Sequence, residues 1–287
     1  MASDPAGPTG PPRAAWHAGQ ADPATTDPGI VDHSGGELGP LTSSARTPEE
    51  RALGRKRVMR FSATERVLHA TNGVAFLLLL LTGLALFLPF VAQLFGNRPV
   101  VKAVHLAVAA LWLTAILLTA ILGDRRVLRR TRVQFESLSA EDLRWLRSSA
   151  ARARPQGKFN GGQKFHAVLQ GALTFLFFLS GTFMYLGERN TDFRFPGTIA
   201  LHDFAMVFAT IFVIGHIYIA FSPKAVDSLS GMVDGTVPAS YAAEHHPRWN
   251  PDDDPITPTP KPGPLRTVLA AVVLVAGIVG AFLLAGG

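Results

Sequence analysis

The sequence predicts an all-α integral membrane protein, with four spanning helices in a bundle and an additional C-terminal transmembrane helix. Three observations carry that reading. Almost half of the 287 residues are hydrophobic and only 17% are charged, and mean hydropathy is positive, which sets aside a wholly soluble chain. Five apolar windows reach the roughly 18 residues at which a spanning helix is the default reading, since the hydrocarbon layer is about 30 Å thick and a helix rises about 1.5 Å per residue. None of the five alternates apolar with polar residues as a lipid-facing strand would, and a helix satisfies its own backbone polar groups in lipid.

Residues 1–57 are rich in Pro, Gly, Ala, Ser and Thr and poor in large apolar groups, so they are expected to form a disordered tail. No basic start followed by an apolar core is present there, so the first spanning helix serves as its own insertion signal. Residues 58–244 then hold the four-helix domain, with spans at about Val67–Phe90, Ala103–Leu122, Phe165–Leu186 and Ile199–Phe221. Residues 245–264, "HHPRWNPDDDPITPTPKPGP", read as an extended Pro-rich linker. Residues 265–287 hold the fifth helix, Thr267 to about Leu284, whose small residues in "AGIVGAFLLAGG" suit close packing against a neighbour or a second protomer. Cysteine is absent, which excludes disulfides, thiolate catalysis and iron–sulfur clusters held by this chain's own thiolates.

Orientation follows from the basic residues. Ten of them lie between Arg125 and Lys158, in the connection from the second span to the third, whereas Arg98 and Lys102 stand alone between the first and second. The positive-inside rule puts the arginine-rich connection in the cytoplasm. Arg51, Arg55, Lys56, Arg57, Arg60 and Arg66 before the first span agree, and so does Lys224 after the fourth. The N-terminus is then expected to be cytoplasmic and the C-terminus outside. Basic charge is accounted for by topology and anionic lipid, so it gives no support to nucleic-acid binding.

Histidines inside apolar helices can now be placed by depth. His105 and His202 lie near the outer ends of the second and fourth spans, and His69 lies near the inner end of the first. His216 follows His202 by fourteen residues, close to four turns and about 21 Å along the axis, so both rings leave one face and His216 falls in the inner half. The four sort into an outer pair, His105 with His202, and an inner pair, His69 with His216. That arrangement suits bis-histidine haem ligation, in which neutral imidazoles from different helices hold iron axially and two levels carry an electron across the bilayer. A lone histidine near a membrane helix end is more often an interfacial or hydrogen-bonding residue; four that pair by depth read differently. His166, at the start of the third span, could replace His69 as far as depth is concerned. Gly73, Gly83, Gly171, Gly181 and Gly215 would leave room for a flat macrocycle, although glycine also serves membrane-helix packing alone. His245 and His246 read as a docking or structural motif in preference to a second metal site. Asp203 reads as a solvated interfacial carboxylate.

Five segments, "FSATERVLHATNGVAFLLLLLTGLALFLP", "KAVHLAV", "GKFNGGQKFH", "LHDFAMVFATIFVIGHIYIAF" and "SLSGMVDGTVPASYAAEHHPRW", resemble in order and spacing the gamma, or cytochrome b, subunit of membrane-bound respiratory formate dehydrogenase, over roughly residues 58–250. The resemblance implies a four-helix dihaem cytochrome b bundle with two b haems, the outer on His105 and His202 and the inner on His69 and His216, and no ligand role at His166. It also implies a quinone site at "NGGQK", with Asn160, Gly162, Gln163 and His216 against menaquinone or ubiquinone; without it, that stretch reads as a turn before a helix. The partners implied are an iron–sulfur beta subunit, which passes electrons in from the outer side, and a molybdenum- or tungsten-containing alpha subunit that oxidises formate. The chain itself would reduce quinone and hold none of the formate-oxidising machinery. The alternatives are the cytochrome b of a NiFe hydrogenase or other molybdoenzyme and, from another class, a proton-coupled transporter with histidine relays. The fifth helix goes beyond the family's four-helix core.

Overall fold

A computed structural model describes residues 56–94, 97–223, 225–253 and 255–286. Residues 1–55, with most of the tail expected to be disordered, lie outside the described residues, as does Lys224. Among the described residues, five helices are long and apolar enough to cross a membrane: α1 (Ala63–Phe87), α2 (Arg98–Leu122), α5 (Gly161–Arg189), α6 (Thr198–Ala220) and α8 (Pro264–Gly286). Between α2 and α5 run two amphipathic helices, α3 (Arg125–Glu136) and α4 (Ala140–Arg147), and α7 (Ala239–His245) follows α6.

Local chemistry sets the helix ends. Ser62 caps α1 and exchanges hydrogen bonds with Glu65, satisfying orphan donors of the first turn. α1 ends at Leu88 because Pro89 has no N–H to donate. Asn97 caps α2 and Pro99 stands in its first turn, where a missing N–H costs nothing. The basic run from Arg125 is therefore a helix, capped by Asp124, where the sequence suggests only a connecting loop.

α1 lies against α2, and α5 against α6. Ala205 and Ala209 of α6 are wholly buried against Leu173 of α5, with Phe76, Leu169, Leu176 and Phe177 around them. The fifth helix, α8, packs along α2 of its own chain. A Cβ at Gly277 would overlap the Thr114 hydroxyl, so glycine is what permits this approach. Arg266 donates to the carbonyls of Ile121 (2.6 Å) and Gly123 (2.8 Å) at the C-terminal end of α2, so the two helices run antiparallel and α8 starts at the arginine-rich end.

A small polar cap closes that end. Strand β1 (Arg57–Met59) pairs antiparallel with β2 (Thr236–Pro238), Val58 opposite Val237, so residue 57, placed in the tail by composition, belongs to the folded body. Gly235 adopts φ +92°, and its carbonyl accepts from the backbone N–H groups of Arg60 (2.8 Å) and Phe61 (3.1 Å); a side chain there would be strained and would press on the Phe61 carbonyl. Arg60 is buried, donates to the Lys158 carbonyl at 2.7 Å and lies over the rings of Phe61 and Trp249. Glu65 sits 3.9 Å from the buried Lys158 ammonium and accepts from Thr131 at 2.6 Å. His246 is buried and donates from Nδ1 to the Gly157 carbonyl at 2.7 Å. The stretch expected to be an extended linker from 245 thus begins folded: His246 and Trp249 are core residues of the cap, and residues 255–263 carry no regular secondary structure. The reason is that Arg60 and Gly157 supply partners that composition does not reveal.

Burial, and then the Arg60 guanidinium, push His246 down to about 3, from about 6.5 in an unfolded chain. Below about pH 6.5 the unfolded state binds the extra proton, so this contribution to stability is whole above that pH and is lost progressively as pH falls toward about 3. His246→Asn keeps a donor for Gly157 but does not titrate. It is expected to flatten the fall of the thermal midpoint between about pH 6.5 and 4, and an unchanged slope would contradict the assignment.

Candidate functional site

α6 carries His202 and His216 on either side of the Ala205–Ala209 contact. The ring centres of His105 and His202 are 6.5 Å apart, and those of His69 and His216 are 6.1 Å apart. Each pair joins α6 to a different helix, α2 in one case and α1 in the other. Two imidazoles on opposite sides of one iron are separated by two metal–nitrogen bonds of about 2 Å and by about 1.2 Å from each nitrogen to its ring centre, which places the centres about 6.4 Å apart. Both pairs fit that separation. A Cβ at Gly73, Gly171 or Gly215 would meet nothing within 4 Å, so open space lies beside three helices, as a flat group requires.

His166 is brought to the second pair in a different way. Its ring lies 4.9 Å from that of His216 with the planes 7° apart. Lone pairs of stacked imidazoles point within their own planes and not at each other, so these two rings cannot grip an ion between them. Among the described residues no cluster of three or more His, Cys, Asp and Glu is arranged to hold a metal ion.

Two side chains that the sequence reading does not single out touch the first pair. Thr82 Oγ1 lies 2.8 Å from His105 Nδ1, and Ser180 Oγ lies 2.8 Å from His202 Nδ1. Their signal is present in the chain as a matched "LTG" in α1 and "LSG" in α5. Gly83 and Gly181, the last residues of those tripeptides, face the imidazole Cε1 atoms of His105 and His202 at 3.5 and 3.6 Å from an ideal Cβ. Asn72, also passed over, accepts from the Trp112 indole at 2.7 Å between α1 and α2.

The geometry is matched by sequence relationship. A family model described as prokaryotic cytochrome b561 matches residues 60–235. The chain belongs to that family. Membership makes it a multi-pass membrane cytochrome b, a class that binds haem b. The cytochrome b561 match covers all four paired histidines. Among curated proteins, the cytochrome b556 subunit of formate dehydrogenase from Haemophilus influenzae is 28% identical over 204 residues, covering 67% of this chain and 82% of that protein. The cytochrome b556(fdo) subunit from Escherichia coli is 25% identical over 208 residues, covering 68% and 92%, and the nitrate-inducible b556(Fdn) subunit from the same organism is 23% identical, covering 68% and 90%. The resemblance drawn from the motifs is borne out by these relatives.

At "NGGQK" the structure shows a helix start. Asn160 Oδ1 accepts from the Gln163 backbone N–H (2.9 Å) and Gln163 Oε1 accepts from the Asn160 backbone N–H (3.1 Å), a reciprocal cap that leaves the two NH2 groups as donors. Gly162 faces the Trp145 ring of α4, and a Cβ at Gly161 would lie 2.6 Å from the Asp142 carbonyl oxygen, so both glycines serve the approach of α4. One turn along α5, His166 stacks on His216, which joins this helix start to the second histidine pair. Asp142 meets Lys164 at 3.0 Å. Burial raises its carboxyl, but the Ser139 backbone and hydroxyl and the Lys164 ammonium outweigh that and hold it below the usual carboxylate range. The pair opens onto a pocket of about 440 Å³ lined also by Gln134, Lys158, Arg248 and Trp249.

Gly161→Ala is expected to push α4 off α5 at a cost of about 1–3 kcal/mol, as overpacking does. A lowered thermal midpoint in detergent checks this, and a midpoint equal to that of the parent would contradict the close approach.

Proposed function

We propose that this cytochrome b holds two b haems, His105 with His202 at the outer level and His69 with His216 at the inner level, and passes electrons between them to a quinone. The observation that carries the reading is the pair of ring separations, 6.5 and 6.1 Å, each at bis-imidazole distance and each spanning two helices. Each haem supplies a one-electron iron couple when bound. The protein's part is to hold neutral imidazoles at two depths and to keep the apolar Leu173–Ala205–Ala209 contact between them.

The quinone site lies at the start of α5, beside the inner pair. Asn160 Nδ2 and Gln163 Nε2 are donors for a quinone carbonyl, the backbone at Gly162 shapes the approach, and His216 lies alongside through His166. Reduction to quinol takes two electrons and two protons, and the Asp142–Lys164 pair with its open pocket offers a polar route from the arginine-rich side. That side is cytoplasmic by the positive-inside rule, in a bacterial inner membrane. Menaquinone and ubiquinone both present the carbonyl chemistry required.

Relatives named as cytochrome b556 subunits of formate dehydrogenase support formate as the source of electrons. An iron–sulfur beta subunit delivers them at the outer level, and a molybdenum- or tungsten-containing alpha subunit oxidises formate. The chain described here is the membrane anchor and quinone-reducing end of that complex. α8 packs chiefly along α2 and supplies no histidine, so it is dispensable for haem binding.

Reduced-minus-oxidised absorbance spectra test the reading. His69→Ala and His216→Ala are each expected to remove the inner haem, His105→Ala and His202→Ala the outer, and His166→Ala neither; loss of a haem in His166→Ala with retention in His69→Ala would overturn the inner pairing. Truncation after Pro260 is expected to keep both bands, and their loss would contradict the peripheral role of α8. In membranes with the partner subunits present, reduction of the bands by formate supports the assigned donor, and reduction by hydrogen alone refutes it.

A further inference from the structure

The two outer histidines are held differently from the two inner ones. Thr82 Oγ1 is 2.8 Å from the Leu78 carbonyl as well as 2.8 Å from His105 Nδ1. Ser180 Oγ is 2.6 Å from the Leu176 carbonyl as well as 2.8 Å from His202 Nδ1. A hydroxyl has one proton, and a carbonyl oxygen can only accept, so each hydroxyl proton is committed to the helix backbone. With the hydroxyl proton on that carbonyl, the contact with the ring runs the other way, Nδ1–H donating to the hydroxyl oxygen, which is also the tautomer that leaves Nε2 free to hold a metal. This puts the ring proton on Nδ1 and leaves the lone pair on Nε2 in both histidines of the outer pair. Among the described residues the rings of His69 and His216 make no side-chain hydrogen bond.

We propose that Thr82 and Ser180 set the tautomer of the outer pair and hold the outer haem at a lower potential than those ligands would otherwise give. The inference rests on the dihaem reading above. A ring that donates from Nδ1 to an acceptor gains electron density at Nε2 and becomes a stronger donor to a bound metal. Ferric iron carries one more positive charge than ferrous, so a stronger donor favours the oxidised form and lowers the potential of the one-electron couple. Two such bonds act on the outer level and none of this kind on the inner, so the electron moves downhill from the outer pair toward the inner pair and the quinone. Thr82 and Ser180 are positioning residues, acting through His105 and His202. Matching hydroxyl–glycine dipeptides in α1 and α5, Thr82-Gly83 and Ser180-Gly181, build the same seat twice: the hydroxyl takes Nδ1–H and the glycine leaves the ring edge clear.

Redox titration of the haem-loaded protein, followed at the b-type bands, tests this. Thr82→Val and Ser180→Ala are each expected to shift the outer haem's oxidised-to-reduced equilibrium about tenfold toward reduction, the lower end of outer-shell effects, which is about 59 mV upward for a one-electron couple. The inner haem is expected to stay in place, and Thr82→Ser and Ser180→Thr to restore the parent value. An outer midpoint unmoved in both variants with haem retained, or both haems moving together, would overturn the proposal. Should either variant lose the outer haem, the His69→Ala protein decides, since its remaining haem must titrate at the lower of the two parent midpoints and titration at the higher one refutes the proposal. Failure of the dihaem reading is distinguishable, because His105→Ala would then leave every b-type band intact.

Discussion

A metal held between two helices would need two rings at one separation, each with a lone pair free on the right nitrogen, and on the proposed dihaem reading that need is the constraint on the bundle. Helix α6 supplies a ring to both levels, so its position against α1, α2 and α5 has to satisfy two separations at once. Ala205 and Ala209 allow it: with only a methyl each and no exposure, they let α6 lie close against Leu173. A larger side chain at either would move both histidines together, which makes the alanine contact the common hinge of the two levels.

The ends of the bundle hold that geometry in register. At one end Lys102 pairs with Glu188, tying the start of α2 to the end of α5. At the other, Arg60, Glu65, Lys158, His246 and Trp249 form a buried polar cap over the start of α1. Buried charge of this kind contributes little net stability but is costly to disrupt, so it resists displacement of α1 and with it His69. The same end presents α3 and α4, whose amphipathic faces lie along the start of α5, and there the Asp142–Lys164 pair meets the open pocket.

Much of this was legible in the sequence because it is periodic or local. Apolar length located the five spans, and the four-turn interval between His202 and His216 led to the pairing that the ring separations repeat. Helix starts come four residues earlier than hydropathy suggests at both α1 and α5, since capping by Ser62 and Asn160 extends the helix through polar residues. The two-stranded ribbon was not legible: each strand has three residues and its partner is nearly 180 positions away. In the sequence His246 reads as part of a linker because its environment is made by Arg60 and Gly157, both remote in sequence. Thr82 and Ser180 do not stand out in the sequence because a hydroxyl in an apolar helix is already satisfied by its own backbone carbonyl, and only the fold reveals a histidine on its other side.

The central claim is that one chain carries two bis-histidine levels, and haem stoichiometry addresses it most directly. Pyridine haemochrome analysis of the purified chain, set against protein concentration by amino-acid analysis, is predicted to give two b haems per chain. A ratio of one, or none, in a folded preparation would contradict the account.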